Sequence, residues 1–146
     1  MIYQKGFTLI EIVVAIAVLI AIVSFGMIAD FSSFLSGTFQ DEESKIIALL
    51  QKARSRSMAN MFEARHGVCY IAPDYVIFRN TCVSGALTNE LIPANVNISS
   101  NPDTNFPAVV FDQLTGNATG ATATIHITDG IKSADIIINN EGAINW

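Results

Sequence analysis

The feature that most constrains this chain is an uninterrupted apolar run near its N-terminus. Residues 12–29, IVVAIAVLIAIVSFGMIA, contain neither a charged residue nor a proline. Eighteen residues in helical form extend roughly 27 Å, close to the hydrocarbon thickness of a bilayer. One carboxylate, Glu11, stands at the start of the run, five residues after Gly6 in Lys5-Gly6-Phe7. An ionised carboxylate at membrane depth costs a few kcal/mol by insertion scales, on the order of 2.5–3.5, so it calls for a partner. A secretory signal peptide has an apolar core of about 7–15 residues followed by a small-residue cleavage site. This run is longer, and SFGMIADFSS after it offers no such site. An ordinary anchor, with Lys5 held on the cytoplasmic side, accounts for the length. It leaves Glu11 unexplained.

The chain has 146 residues, enough for one globular domain and an appendage. Its formal charge of −5 is unevenly spread. From Asn80 onward Lys132 is the single base, against Glu90, Asp103, Asp112, Asp129, Asp135 and Glu141. That balance disfavours a nucleic-acid partner bound through a broad basic face, because phosphate neutralisation needs Lys and Arg. Cys69 and Cys82 both follow the apolar run and so share one side of any membrane it crosses. In an oxidising compartment they fit one disulfide; two unpaired thiols buried in strands is the alternative.

Beyond the run, DEESKIIALLQKARSRSMANMFEAR keeps helical spacing, with Ile47, Leu50, Ser57 or Met58, Met61 and Phe62 on one face. This predicts a near-continuous helix to about Arg65, weakest around residues 32–38. Asp41, Glu42 and Glu43 suit a helix N-terminal end if a fresh helix starts at Gly37. The basic cluster Lys52, Arg54 and Arg56 reads as a solvated helix face. After His66-Gly67 the pattern turns to strands. VCYIA and YVIF flank a two-residue turn at Pro73-Asp74, which would set Phe78 opposite Cys69. ELIPANVNI reads as an edge strand, because its proline cannot donate to a ladder. AVVFDQL, TATIHI, ADIIIN and AINW follow, separated by turn-rich segments. The predicted fold is α+β: a long N-terminal helix packed on an antiparallel meander.

KGFTLIEIVVAIAVLIAIV resembles the prepilin signature of type IV pilins and type II secretion pseudopilins. That resemblance implies a prepilin peptidase that cuts between Gly6 and Phe7 and methylates the new amine of Phe7. It further implies that Glu11, the fifth mature residue, meets the N-terminal amine of a neighbouring subunit. Opposite charges in a poorly solvated bundle relieve each other's desolvation. The implied divisions are a leader 1–6, a transmembrane and assembly helix 7–29, an amphipathic continuation 30–66 and an extracytoplasmic β-rich domain 67–146. The implied location is the bacterial inner membrane, single-pass, then a pilus or pseudopilus. The implied partners are other pilin or pseudopilin subunits, an inner-membrane assembly platform, and membrane lipid before assembly.

Many major pilins carry a proline near the end of this helix. No proline precedes Pro73 here, which counts against a major pilin, although Gly26 and Gly37 could supply flexible points instead. Ala53-Arg54, Phe111-Asp112 and the terminal hairpin at Gly142 are similar to the H-type minor pseudopilins and FimT-like minor pilins. FimT-like competence proteins bind DNA through basic residues after that glycine. Here Ala143-Ile144-Asn145-Trp146 follow, so that role is not implied. A pilus-tip adhesin or a DNA-uptake minor pilin is the alternative function.

A catalytic site needs converging groups, and none is legible. His66 reads as a favourable charge beside a helix end and His126 as a satisfied sheet residue. No metal-ligand spacing or phosphate-binding loop is present, so no cofactor and no metal are expected. Asp112, Asp129 and Asp135 could serve Ca²⁺ only if loops united them. Asn97-Ile98-Ser99 and Asn117-Ala118-Thr119 are glycosylation sequons.

Overall fold

A computed structural model of the chain describes residues 9–120 and 122–146. Among these residues the fold is α+β: a long helix followed by seven short strands in two antiparallel sheets. The chain divides into two compact units, Met1–Thr38 and Phe39–Trp146. The division falls at the end of the stretch whose poor helix formers mark it as weak.

Helix α1, Leu9–Met58, runs without a break, so no new helix starts at Gly37. Glu42 therefore sits mid-helix and does something other than cap an N-terminus. It is 2% exposed; its Oε1 accepts from the Asn95 amide at 2.7 Å and its Oε2 pairs with Lys45 at 2.5 Å. The helix stops before the predicted Arg65. Asn60 turns left-handed, where an asparagine is tolerated as a helix-ending residue. Gln113 Nε2 donates to the Asn60 side-chain Oδ1 and so fastens the ending to a later loop. A short turn, Met61–Glu63, follows, and Met58, Met61 and Phe62 are exposed instead of extending the apolar stripe. Arg79 stacks on the Phe62 ring, 3.7 Å from its centre.

Strands β1, His66–Ile71, and β2, Asp74–Arg79, form a hairpin with Cys69 opposite Val76 and Gly67 opposite Phe78. The loop is thus Ala72-Pro73, one residue earlier than the sequence predicts, and each partner moves by two. A two-residue move keeps every side chain on its expected face, because strand faces alternate with period two. Val68, Tyr75 and Ile77 face the main core, while Cys69, Val76 and Phe78 form a smaller apolar cluster on the opposite face. Gly67 is required under Phe78, since a Cβ there would lie 2.5 Å from the ring and 2.4 Å from the Val109 carbonyl oxygen.

Strand β3, Glu90–Pro93, is an edge as the proline demands, but the rest of that segment is not strand. It folds into a single turn, α2, Val96–Ser99, whose Asn95 side chain accepts from the Asn97 amide. β4, Val109–Phe111, pairs with the other side of β1, giving the order β3-β2-β1-β4. β5, Ala123–Thr128, β6, Ser133–Ile138, and β7, Ile144–Asn145, make the second sheet. The expected meander holds for β1-β2-β3 and for β5-β6-β7; it is broken at β4, which pairs with β1 instead of following β3. The turn-rich segment after Phe111 ends one sheet and starts the other, with Ala118 bridged to Phe111 and bonded to the Asn140 carbonyl.

In the second unit one apolar core joins α1 to both sheets. Ile46, Leu50 and Ala53 of the helix meet Val68, Ile77, Phe111, Ile125, Ile127, Ile136 and Ile138, all essentially inaccessible. Full burial of an aliphatic side chain is worth roughly 1.5–3 kcal/mol, so this contact fixes the helix on the sheets.

Candidate functional site

Two regions carry the sequence-level expectations. The first is the start of α1. From Leu9 to Ile20 nine large aliphatic side chains are each at least 51% exposed, and they point to every side of the helix. A helix that is apolar all round belongs inside lipid or inside a bundle. Glu11 lies in its first turn, the one charged side chain between Leu9 and Ile20. Gly6 and Phe7, and with them the cleavage point, lie outside the described residues. Among the described residues no helix is long and apolar enough to cross a membrane. The second half of the apolar run, from residue 21, lies outside the residues whose side chains are described.

The second region gathers the distal motif residues, and their roles are structural. Ala53 and Phe111 are fully buried core residues. Arg54 Nε donates to the Gly116 carbonyl at 3.2 Å and its Nη2 to the Glu141 carbonyl at 3.0 Å. One helix side chain therefore fastens two turns. Gly142 makes this close approach possible: its φ is +74°, and a Cβ would lie 2.1 Å from the Gly116 oxygen. Asp112 accepts from the Thr119 hydroxyl at 2.8 Å and stands 3.9 Å from Arg65. Lys52 and Arg56 both pair with Glu90. The Lys52 bond, foremost, holds the Glu90 carboxyl below the usual carboxylate range. The basic cluster is thus tied to β3 and to the turns rather than left as a freely solvated face.

Ser57, missed by the sequence reading as anything but a stripe position, is buried at the helix end and joins three elements. Its Oγ accepts from the His66 amide at 2.8 Å and donates to the Phe111 carbonyl at 3.0 Å. His66 itself is buried, not an exposed end charge. Burial, then the Arg56 charge, lowers its pKa. His126 is on the outer face of β5, with Nδ1 2.5 Å from Asp135 of β6. Asp129 accepts from the Ile131 and Lys132 amides of its own turn, and these bonds lower its pKa. Asp112, Asp129 and Asp135 thus have separate partners and are not brought together. No cluster of three or more metal-ligating side chains occurs among the described residues.

A disulfide joins Cys69 of β1 to Cys82, with Cα atoms 6.4 Å apart. The chain bends after Arg79 to bring Cys82 back over the outer face of the first sheet, beside Val76 and Phe78. It covers that face, which the helix does not reach.

Residues 1–29 match the family model described as the prokaryotic N-terminal methylation motif. No curated protein and no solved structure matches the chain.

Proposed function

We propose that this chain is a minor pilin or pseudopilin, a non-enzymatic subunit of a type IV pilus or type II secretion filament. The methylation motif supports a type IV pilin-like precursor. Prepilin peptidase cuts between Gly6 and Phe7 and methylates the Phe7 amine. The apolar helix then holds the chain in the inner membrane until an assembly platform moves it into a bundle of sibling helices. The similarity of Ala53-Arg54, Phe111-Asp112 and the hairpin at Gly142 to the H-type and FimT-like minor subunits supports a minor subunit of that kind.

The single observation carrying this reading is the start of α1, aliphatic on every side with Glu11 in its first turn. Neither lipid alone nor a soluble domain accounts for both features, whereas a bundle of like helices buries the aliphatic side chains and supplies an amine to the carboxylate. N-terminal mass spectrometry of the protein from its host tests the processing: the expected product begins with N-methylated Phe7. An intact Met1, or a new end near residue 30, refutes it. Glu11→Gln tests assembly, with processing retained and incorporation into sheared filaments lost; filaments with normal subunit content would sink that role.

A further inference from the structure

A groove within the second unit is used by nothing described so far. It lies between the last turns of α1 and strand β7, holds about 370 Å³, and is lined by Gln51, Arg54, Ser55, Met58, Ile144 and Trp146. That volume is within the usual range of ligand pockets, roughly 300–1,000 Å³. Three independent properties of its walls describe what it takes.

The first is an open sheet edge. β7 is the outermost strand of its sheet, pairing only with β6. The Asn139 amide donates to the Ala143 carbonyl and the Asn139 carbonyl accepts from the Gly142 amide, so residue 139 makes its ladder bonds with the 142–143 step. Alternation along an antiparallel ladder then puts Ile144, opposite Ile138, at a non-hydrogen-bonded position. Its N–H and C=O turn away from β6, on a strand whose Ile144 lines the groove. The second property is charge. Arg54 has both its bonds to backbone carbonyls, and no carboxylate pairs with it among the described residues. No acidic side chain lines the groove. The third is apolar surface: Met58 is 45% and Trp146 68% exposed.

The geometry points to an interaction site for an extended acidic peptide of a partner protein, added as a strand to β7. Its backbone pairs with the Ile144 amide and carbonyl, as in other strand additions to exposed edges. A glutamate or aspartate side chain meets the Arg54 guanidinium, and an apolar neighbour lies against Met58 and Trp146. This goes beyond the filament reading and does not depend on it, because N-terminal processing could fail and the groove would remain.

Trp146 is the one tryptophan of the chain, so its emission reports the groove directly. The full-length chain in detergent micelles is titrated with a mixture of blocked hexapeptides. Each has a central glutamate flanked by valine, isoleucine and threonine. The expected result is a saturable blue shift with a Kd below about 1 mM. Because a charge-assisted bond is lost, the glutamine-centred mixture should bind about tenfold more weakly. Peptides N-methylated at alternate residues should not bind. Ser55→Phe, an exposed helix position, should fill the groove and abolish the shift while the circular dichroism spectrum is unchanged. Equal binding of the glutamine or N-methylated peptides overturns the proposal, as does the absence of any shift. An oligothymidylate that binds more tightly than the peptides, with steep salt dependence, overturns it in favour of nucleic acid.

Discussion

One helix, α1, is buried in two contrasting ways. In the second unit a single face is covered: Ile46, Leu50 and Ala53 are inaccessible, while Gln51, Lys52 and Ser55 stay in solvent. Between Leu9 and Ile20 every large aliphatic side chain is more than half exposed, whichever way it points. The first pattern is completed by the chain's own sheets. The second is not completed by the neighbouring described residues of its own helix, and a stripe of one-sided contacts could not complete it. Helical backbone is common to both; what differs is where the covering surface comes from.

That contrast can be broken by substitution. Leu50→Ala should cost about 2–5 kcal/mol of distal-unit stability through lost burial and a residual cavity. Ile16→Ala should change it by under about 0.5 kcal/mol, as for an exposed site. Urea denaturation in detergent measures both, and a similar cost for the two would mean that the halves of α1 are not distinct. Gly142→Ala should follow, at about 1–3 kcal/mol, the range for a residue forced into a disfavoured backbone region. It also loosens the Arg54 bonds, so the loss should shrink in an Arg54→Ala background by double-mutant cycle. Ser57→Ala leaves the buried His66 amide and Phe111 carbonyl without their shared hydroxyl, at about 1–3 kcal/mol in the same assay.

The smallest effect is pH dependence. His66 has a lowered pKa when folded, so below about pH 6.5, its ordinary value, the unfolded chain binds more protons than the folded one. Stability should therefore be fully present above that pH and decline as pH falls through it. His66→Gln should remove that part of the slope in melting curves taken between about pH 7 and 5, the span of histidine titration. Glu90 acts over a more acidic window. Its lowered pKa contributes stability that is present above about pH 4.5, its ordinary value, and is lost on acidification.

The sequence made some of this legible and left out the rest for identifiable reasons. The apolar run and Glu11 stand out because eighteen uncharged residues need no tertiary information to be noticed. The strands themselves were readable, since VCYIA and YVIF are runs of β-branched and aromatic residues on either side of a proline turn. The hairpin register was not: Pro73-Asp74 and Ala72-Pro73 loops preserve the same faces, and only cross-strand packing of Phe78 over Gly67 separates them. The helix end was overrun because Met61 and Phe62 fit the helical spacing. The left-handed Asn60 and its bond to Gln113 come from 53 residues away. His66 was misread for a similar reason, as its burial comes from β4 and the end of α1 rather than from its sequence neighbours. At the candidate site, Ala53-Arg54, Phe111-Asp112 and Gly142 were noticed separately. That Arg54 holds the turns at Gly116 and Gly142 could not be read from spacing.

The Arg54 joint also has a consequence in time. Its two acceptors lie 62 and 87 residues downstream. Closing loops of that length is entropically costly and belongs late in folding. As the chain leaves the ribosome, the helix can wind and the β1–β2 hairpin can zip while Arg54 still faces water. The helix acquires its final set of neighbours only after the stretch containing Glu141 has emerged.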